Sequence, residues 1–203
     1  MVVADIVRLN GEYDIVGFLD DLNPERRDEE LYGATILGGR ESLSSLRSEG
    51  VSHLILGFGN GAARLRLSAF VRATGFSLAT AIHPSAVMAT DASIGAGTVV
   101  TAAAVINPGS SIGENAIVNT SASVGHECLI GEGAHVGPGA RLAGKVVVGR
   151  AAWIGIGAVA IEGVRIGANS LVGAGGVVVN DIPEGVVAYG NPARVVRKAE
   201  VLD

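Results

Sequence analysis

From Ile94 onward the chain places an apolar residue at every sixth position: Ile94, Val100, Ile106, Ile112, Val118, Val124, Ile130, Val136, Leu142, Val148, Ile154, Ala160, Ile166, Val172 and Val178. Fourteen of these fifteen are Ile, Val or Leu, so the phase survives 85 residues with one departure, Ala160. A small residue stands two places earlier in thirteen of the units, and glycine follows the apolar residue directly in nine. Ile82 and Met88 keep the same phase, so a first, looser coil is expected to begin there. A period of six matches neither an amphipathic helix, near 3.6, nor a hairpin meander with wider turn spacing. It matches a short strand and a corner, repeated. The branched residue points inward, the small residue fits beside it, and the glycine is expected to supply backbone angles at the corner. Three units close a triangular coil, and fifteen units stack five coils, about 24 Å of prism at roughly 4.8 Å per strand.

The composition agrees with thin, regular stacking: glycine reaches 30 residues and aromatics only 4%, so the core is not filled by large rings. Within residues 94–180 only Glu114, Glu127, Glu132, Arg141, Lys145, Arg150, Glu162 and Arg165 carry formal charge. A flat face so poor in charge is expected to be covered by another copy, which makes the protein a homo-oligomer. The net charge of −5 without a basic run argues against nucleic acid. No apolar stretch is long enough for a bilayer, and Asp5 and Arg8 interrupt any signal-peptide pattern. A single cysteine, Cys128, excludes an internal disulfide and suits a reducing cytoplasm, the expected location.

Residues 1–80 read as a small parallel α/β domain, with helices over 1–10, 41–49 and 61–74, strands over 13–19 and 52–56, and residues 76–82 leading into the coils. Ligands of such sheets collect at the carboxyl ends of strands, where Asp20, Asp21, Gly59 and Asn60 fall. Residues 81–182 form the β-helix domain. Asp181-Ile182-Pro183 breaks the repeat, and 183–203 form a C-terminal tail.

Nucleophilic catalysis finds little support. Cys128 occupies a small inward slot, there is no Gly-x-Ser-x-Gly elbow, and no His/Cys cluster has metal-ligand spacing. His53 and His83 read as structural. His126 follows Val124-Gly125, points outward and has Glu127 beside it. An imidazole next to a carboxylate under a covering subunit suits a general base. Chemistry alone leaves open whether His126 is that base or an ordinary surface histidine.

The run Asn119-Thr120-Ser121-Ala122-Ser123-Val124-Gly125-His126-Glu127-Cys128-Leu129-Ile130-Gly131 resembles the active-site segment of sugar O- and N-acyltransferases of the sialic-acid O-acetyltransferase type. That group includes bacillosamine- and perosamine-type nucleotide-sugar N-acetyltransferases. The resemblance continues through His135-Val136, Trp153-Ile154-Gly155-Ile156, Gly173-Ala174-Gly175 and Gly190-Asn191-Pro192-Ala193-Arg194, and reaches back to Phe18-Leu19-Asp20-Asp21 and Gly59-Asn60.

The resemblance implies a left-handed coil, a cytoplasmic homotrimer, and acetyl-CoA bound between neighbouring prisms, with no metal. By the same likeness His126 is the base and Glu127 raises its basicity. The Gly144 N–H steadies the oxyanion, and His135, Gly144, Ile156 and Ala174 meet the coenzyme. Asp20, Asp21, Gly59, Asn60 and Asn119 are expected to bind the sugar nucleotide. Members of the family open with a strand and a Gly-rich loop ahead of the helix that resembles residues 2–6, so the expectation is either a mis-assigned or truncated start or a first domain without its central strand. The implied activity is N-acetylation of a UDP- or GDP-linked 4-amino sugar. O-acetylation of a sugar or sialic acid hydroxyl, or a non-enzymatic trimeric scaffold, are the alternatives.

Overall fold

A computed structural model describes residues 1–200. From Ala81 to Val178 the chain winds through two-residue strands that form three parallel sheets. Residues eighteen apart lie one above another: Ser123 pairs with Arg141, Arg141 with Val159, and Val159 with Val177. One face runs from Ser93–Ile94 to Arg165–Ile166, a second from Ala81–Ile82 to Leu171–Val172, and the third from Val87–Met88 to Val177–Val178. The looser first coil expected at Ile82 and Met88 is present, and their strands pair with Val99–Val100 and Val105–Ile106. The third face therefore has six strands.

The inside of the prism is the sequence pattern read as columns. Val100, Val118, Val124, Val136, Ile154 and Val172 are buried, and so are the small residues Ala104, Ala116, Ala122, Ala134, Ala140, Ala152 and Ala158 beside them. Each buried branched side chain contributes about 1.5–3 kcal/mol. Cys128 fills its slot as expected: Sγ donates to the Ala143 carbonyl at 3.1 Å, and burial pushes the thiol above its ordinary pKa.

One expectation is corrected. The glycine after the apolar residue does not supply the unusual backbone angle. The left-handed residue comes two places later, and it is Gly133, Gly139 or Gly157 in some coils but Glu127, Lys145, Ala151 or Asn169 in others. The nine glycines answer a different need. A Cβ on Gly131 would stand 2.7 Å from Arg150 N, and one on Gly155 would stand 2.6 Å from Ala174 N and Val172 O. They let one coil lie directly on the next.

The N-terminal residues form less regular structure than their pattern suggests. Helix α1 (Val2–Asn10) ends at Gly11, whose left-handed backbone closes it. Helix α2 (Leu43–Ser48) follows a 3₁₀ turn at Arg40–Ser42, and α3 (Gly61–Ala73) is capped by Asn60. The expected strand over 13–19 makes only a bridge from Phe18 to Ile36, and the one over 52–56 shrinks to His53–Leu54, paired in parallel with Ser77–Leu78. Tyr13 and His53 face each other with ring centroids 5.1 Å apart, yet no ladder joins their segments among the described residues.

This unit shares its core with the coils: Ile6 and Val7 of α1 pack with Ala81, Val99 and Ile117, and the cluster of Leu43, Leu46, Val71, Phe76 and Leu78 extends to Ala96. Beyond the break at Pro183, Val186–Gly190 and Ala193–Lys198 form a hairpin that extends the second face.

Two classes of glycine are thereby separable by measurement. Gly155→Ala should cost more than about 3 kcal/mol, because the added carbon meets backbone that cannot move aside. Gly139→Ala, in open space at φ 64°, should cost only about 1–2 kcal/mol. Denaturant unfolding of the two variants checks the order.

Candidate active site

His126 and Glu127 occupy the corner between strands Ser123–Val124 and Leu129–Ile130. Glu127 holds the left-handed position, and this turns its carboxylate back on its neighbour, so that His126 Nδ1 and Glu127 Oε2 lie 3.0 Å apart. In a neutral imidazole Nδ1 then donates to the carboxylate, and Nε2 carries the free lone pair. Gly144 stands one coil above, buried, and a Cβ there would collide with His126 Nε2. Ala143 N donates to Ala160 O and Lys145 N to His126 O, whereas the Gly144 N–H between them has no backbone acceptor among the described residues. The histidine side chain is 52% exposed in the single chain. The corner therefore offers an oriented proton acceptor and an unused donor side by side.

The other residues singled out by sequence lie elsewhere on the prism. Ile156, 63% exposed, and Ala174 stack on the corner after the second face, in the same column as Thr120 and Pro138. Asn119 begins that corner and bonds to His135 Nε2 through Nδ2 at 3.0 Å. His135 is 7% exposed, stacked on Trp153 with centroids 4.3 Å apart. Burial, with the Arg64 cation second, pushes its pKa down to about 4. It is a neutral ring. Two recesses, of about 330 and 470 Å³, belong to the N-terminal unit, and neither is lined by His126.

The four N-terminal residues are each already engaged within the chain. Asp20 Oδ1 accepts from Leu22 N and Asn23 N, and hydrogen bonding to Asn23 above all holds its carboxyl below the ordinary range. Asp21 accepts from Arg40 N at 2.6 Å and from its guanidinium. Asn60 Oδ1 caps α3 through Ala63 N at 3.0 Å. Gly59 lies against Trp153, where a Cβ would be 3.1 Å from Cη2.

Arg64 was not singled out. It is 1% exposed, and its guanidinium donates to Phe58 O, Gly59 O, Asn115 O and Gly133 O. Burial pulls its pKa down to about 10. A signal existed: Gly61, Arg64, Leu65, Ser68 and Val71 fall on one buried helical stripe, and a cation among them demands partners.

His135 makes stability depend on acidity. The unfolded ring takes a proton near pH 6.5 and the folded one only near 4. Below 6.5 the unfolded chain therefore binds more protons, so stability falls as pH drops towards 4 and is fully present above 6.5. Denaturation midpoints across that window should show the slope, and His135→Gln should reduce it.

With this geometry in view, comparisons with known proteins are specific. The family model described as the PglD N-terminal domain matches residues 1–70, and that for bacterial transferase hexapeptide (six repeats) matches 109–144. No curated protein matches the chain. Among solved structures it is similar to a histidine-to-asparagine variant of perosamine N-acetyltransferase from Caulobacter crescentus in complex with CoA and GDP-perosamine. That match has 42% identity and a TM-score of 0.91, over 96% of this chain and 90% of that one. It is also similar to the acetyltransferase domain of PglB from Neisseria gonorrhoeae in complex with acetyl coenzyme A, at 37% identity and TM-score 0.89, over 96% and 93%. WeeI from Acinetobacter baumannii matches at 25% identity and TM-score 0.86 over the same shares. Coils and comparisons agree: the chain belongs to the hexapeptide-repeat acyltransferases, in the group of perosamine- and PglB-type nucleotide-sugar N-acetyltransferases.

Proposed function

We propose that the protein transfers an acetyl group from acetyl-CoA to the amino group of a UDP- or GDP-linked 4-amino sugar, with His126 as general base. The observation that carries this reading is the His126–Glu127 contact of 3.0 Å at Nδ1, which commits the free lone pair to Nε2 beside Gly144. The relatives solved with CoA and GDP-perosamine, or with acetyl coenzyme A, support the choice of substrates.

In this scheme the sugar amine attacks the thioester carbonyl while Nε2 takes its proton. The resulting oxyanion accepts from the Gly144 N–H, a donor fixed before the reaction begins. As the intermediate collapses, the C–S bond breaks and the departing thiolate takes the proton from the imidazolium. The products are amide and free CoA. No covalent acyl-enzyme is involved, which fits the enclosed position of Cys128.

His126 and Gly144 occupy one edge of the prism, Ile156 and Ala174 a second, while the Gly59–Asn60 loop rests against Trp153, His135 and Gly133 on the second face and third edge. One chain cannot bring these groups around a single substrate. A homotrimer of three-sided prisms brings the edge of one copy against that of the next and joins the coenzyme column to the base. Asp20, Asp21, Gly59, Asn60 and Asn119 serve the sugar nucleotide, His135, Gly144, Ile156 and Ala174 the coenzyme. Dependence on acetyl-CoA and the single reduced thiol fit the cytoplasm.

The test is thiol release from acetyl-CoA against a panel of UDP- and GDP-linked amino sugars and their hydroxyl analogues. An amino sugar should react and its hydroxyl analogue should not. No release with any amino sugar would reject the proposal. His126→Asn should lower turnover by about 10² or more with the oligomer intact. Gly144→Ala should displace the imidazole and lower turnover by about 10² with the oligomer intact.

A further inference from the structure

We infer that Arg64 is a positioning residue that sets the Gly59–Asn60 loop in register with the coil bearing Asn119 and His135. The inference rests on the functional reading above, in which that loop meets the sugar nucleotide. The observation behind it is the distribution of the four carbonyls. Two belong to the loop, Phe58 O at 2.8 Å and Gly59 O at 2.6 Å, and two to prism corners, Asn115 O at 2.9 Å and Gly133 O at 2.9 Å. Gly133 lies two residues before His135, and Asn115 is one coil below it. A rigid guanidinium fork spans loop and coil at once, whereas an ammonium is a single point of donation.

The surroundings leave the loop little other freedom. Gly61 faces the Gly133 carbonyl and the Ala151 backbone with no room for a Cβ, and Gly59 rests on Trp153. The helix that carries Arg64 is capped by Asn60 itself, so the same residue that begins α3 ends the loop. Leu65, next to Arg64, packs on Gly133 by apolar contact alone and gives the comparison needed to separate positioning from stability.

The experiment varies both substrates in steady state for Arg64→Lys, Arg64→Met and Leu65→Ala, with oligomeric state and thermal unfolding measured beside them. Arg64→Met should raise KM for the sugar nucleotide about tenfold or more while KM for acetyl-CoA and kcat stay within about twofold, and Arg64→Lys should restore part of the loss. Leu65→Ala should lower the unfolding temperature without the split. If Arg64→Met does not fold, the same ratio in Arg64→Lys decides. A loss shared equally by both substrates, or a KM split in Leu65→Ala, overturns the proposal. Amide exchange supplies a substrate-free reading: residues 58–61 should exchange faster in Arg64→Lys while 117–124 stay unchanged, and unchanged exchange at 58–61 overturns the proposal even if no substrate is found. Failure of the functional reading shows instead as wild-type protein without turnover.

Discussion

Parallel strands hydrogen-bond at one spacing, and in this chain that spacing governs everything above it. Corners lie directly on the corners below, carbonyl over amide, so in the nine units where glycine follows the inward apolar position it has no volume to spare. Glycine there is a packing requirement, and the left-handed residue two places later closes the corner. Because the register is eighteen residues with no slip through the coils, every edge of the prism is a column whose members are known once one member is known. His126 and Gly144 stand on such a column.

His126 and His135 show how far environment decides what a side chain can do. The first sits on an exposed corner with its Nδ1 held by Glu127, and its other nitrogen is presented beside Gly144. The second, half a coil further on, is enclosed by Trp153, Asn119 and the Arg64 cation and stays neutral far below its ordinary pKa. The same imidazole is an accessible proton acceptor in one place and a packed polar ring in the other. Gly144 is part of that difference, since any side chain on it would occupy the space of the His126 ring.

The junction between the N-terminal unit and the coils explains a buried charge that would otherwise be costly. Coil corners present carbonyls outward, and a helix laid over them must bring donors. Arg64 brings five N–H groups and satisfies carbonyls on both sides of the junction. Apolar contact does the rest, through Ile6 and Val7 on one side and Leu65 on the other.

The sequence alone determined the β-helix, its phase from Ile82 to Val178, the inward columns and the enclosed slot of Cys128, because a six-residue period is a local property that a stacked coil reads out directly. It also drew attention to the outward pair His126–Glu127. It misread the role of the repeated glycine, since crowding between residues eighteen or nineteen apart appears in no local pattern. It placed full strands at 13–19 and 52–56, where apolar alternation found no partner ladder, and it passed over Arg64. Only the tertiary structure decided that Nε2 of His126 is the free nitrogen, that His135 is buried, that Asp20 and Asn60 bond close by along the chain while Asp21 reaches Arg40, and that His126 and Ile156 lie on separate edges. Each of those facts depends on which groups meet across a coil or a corner, and that is fixed when the prism closes.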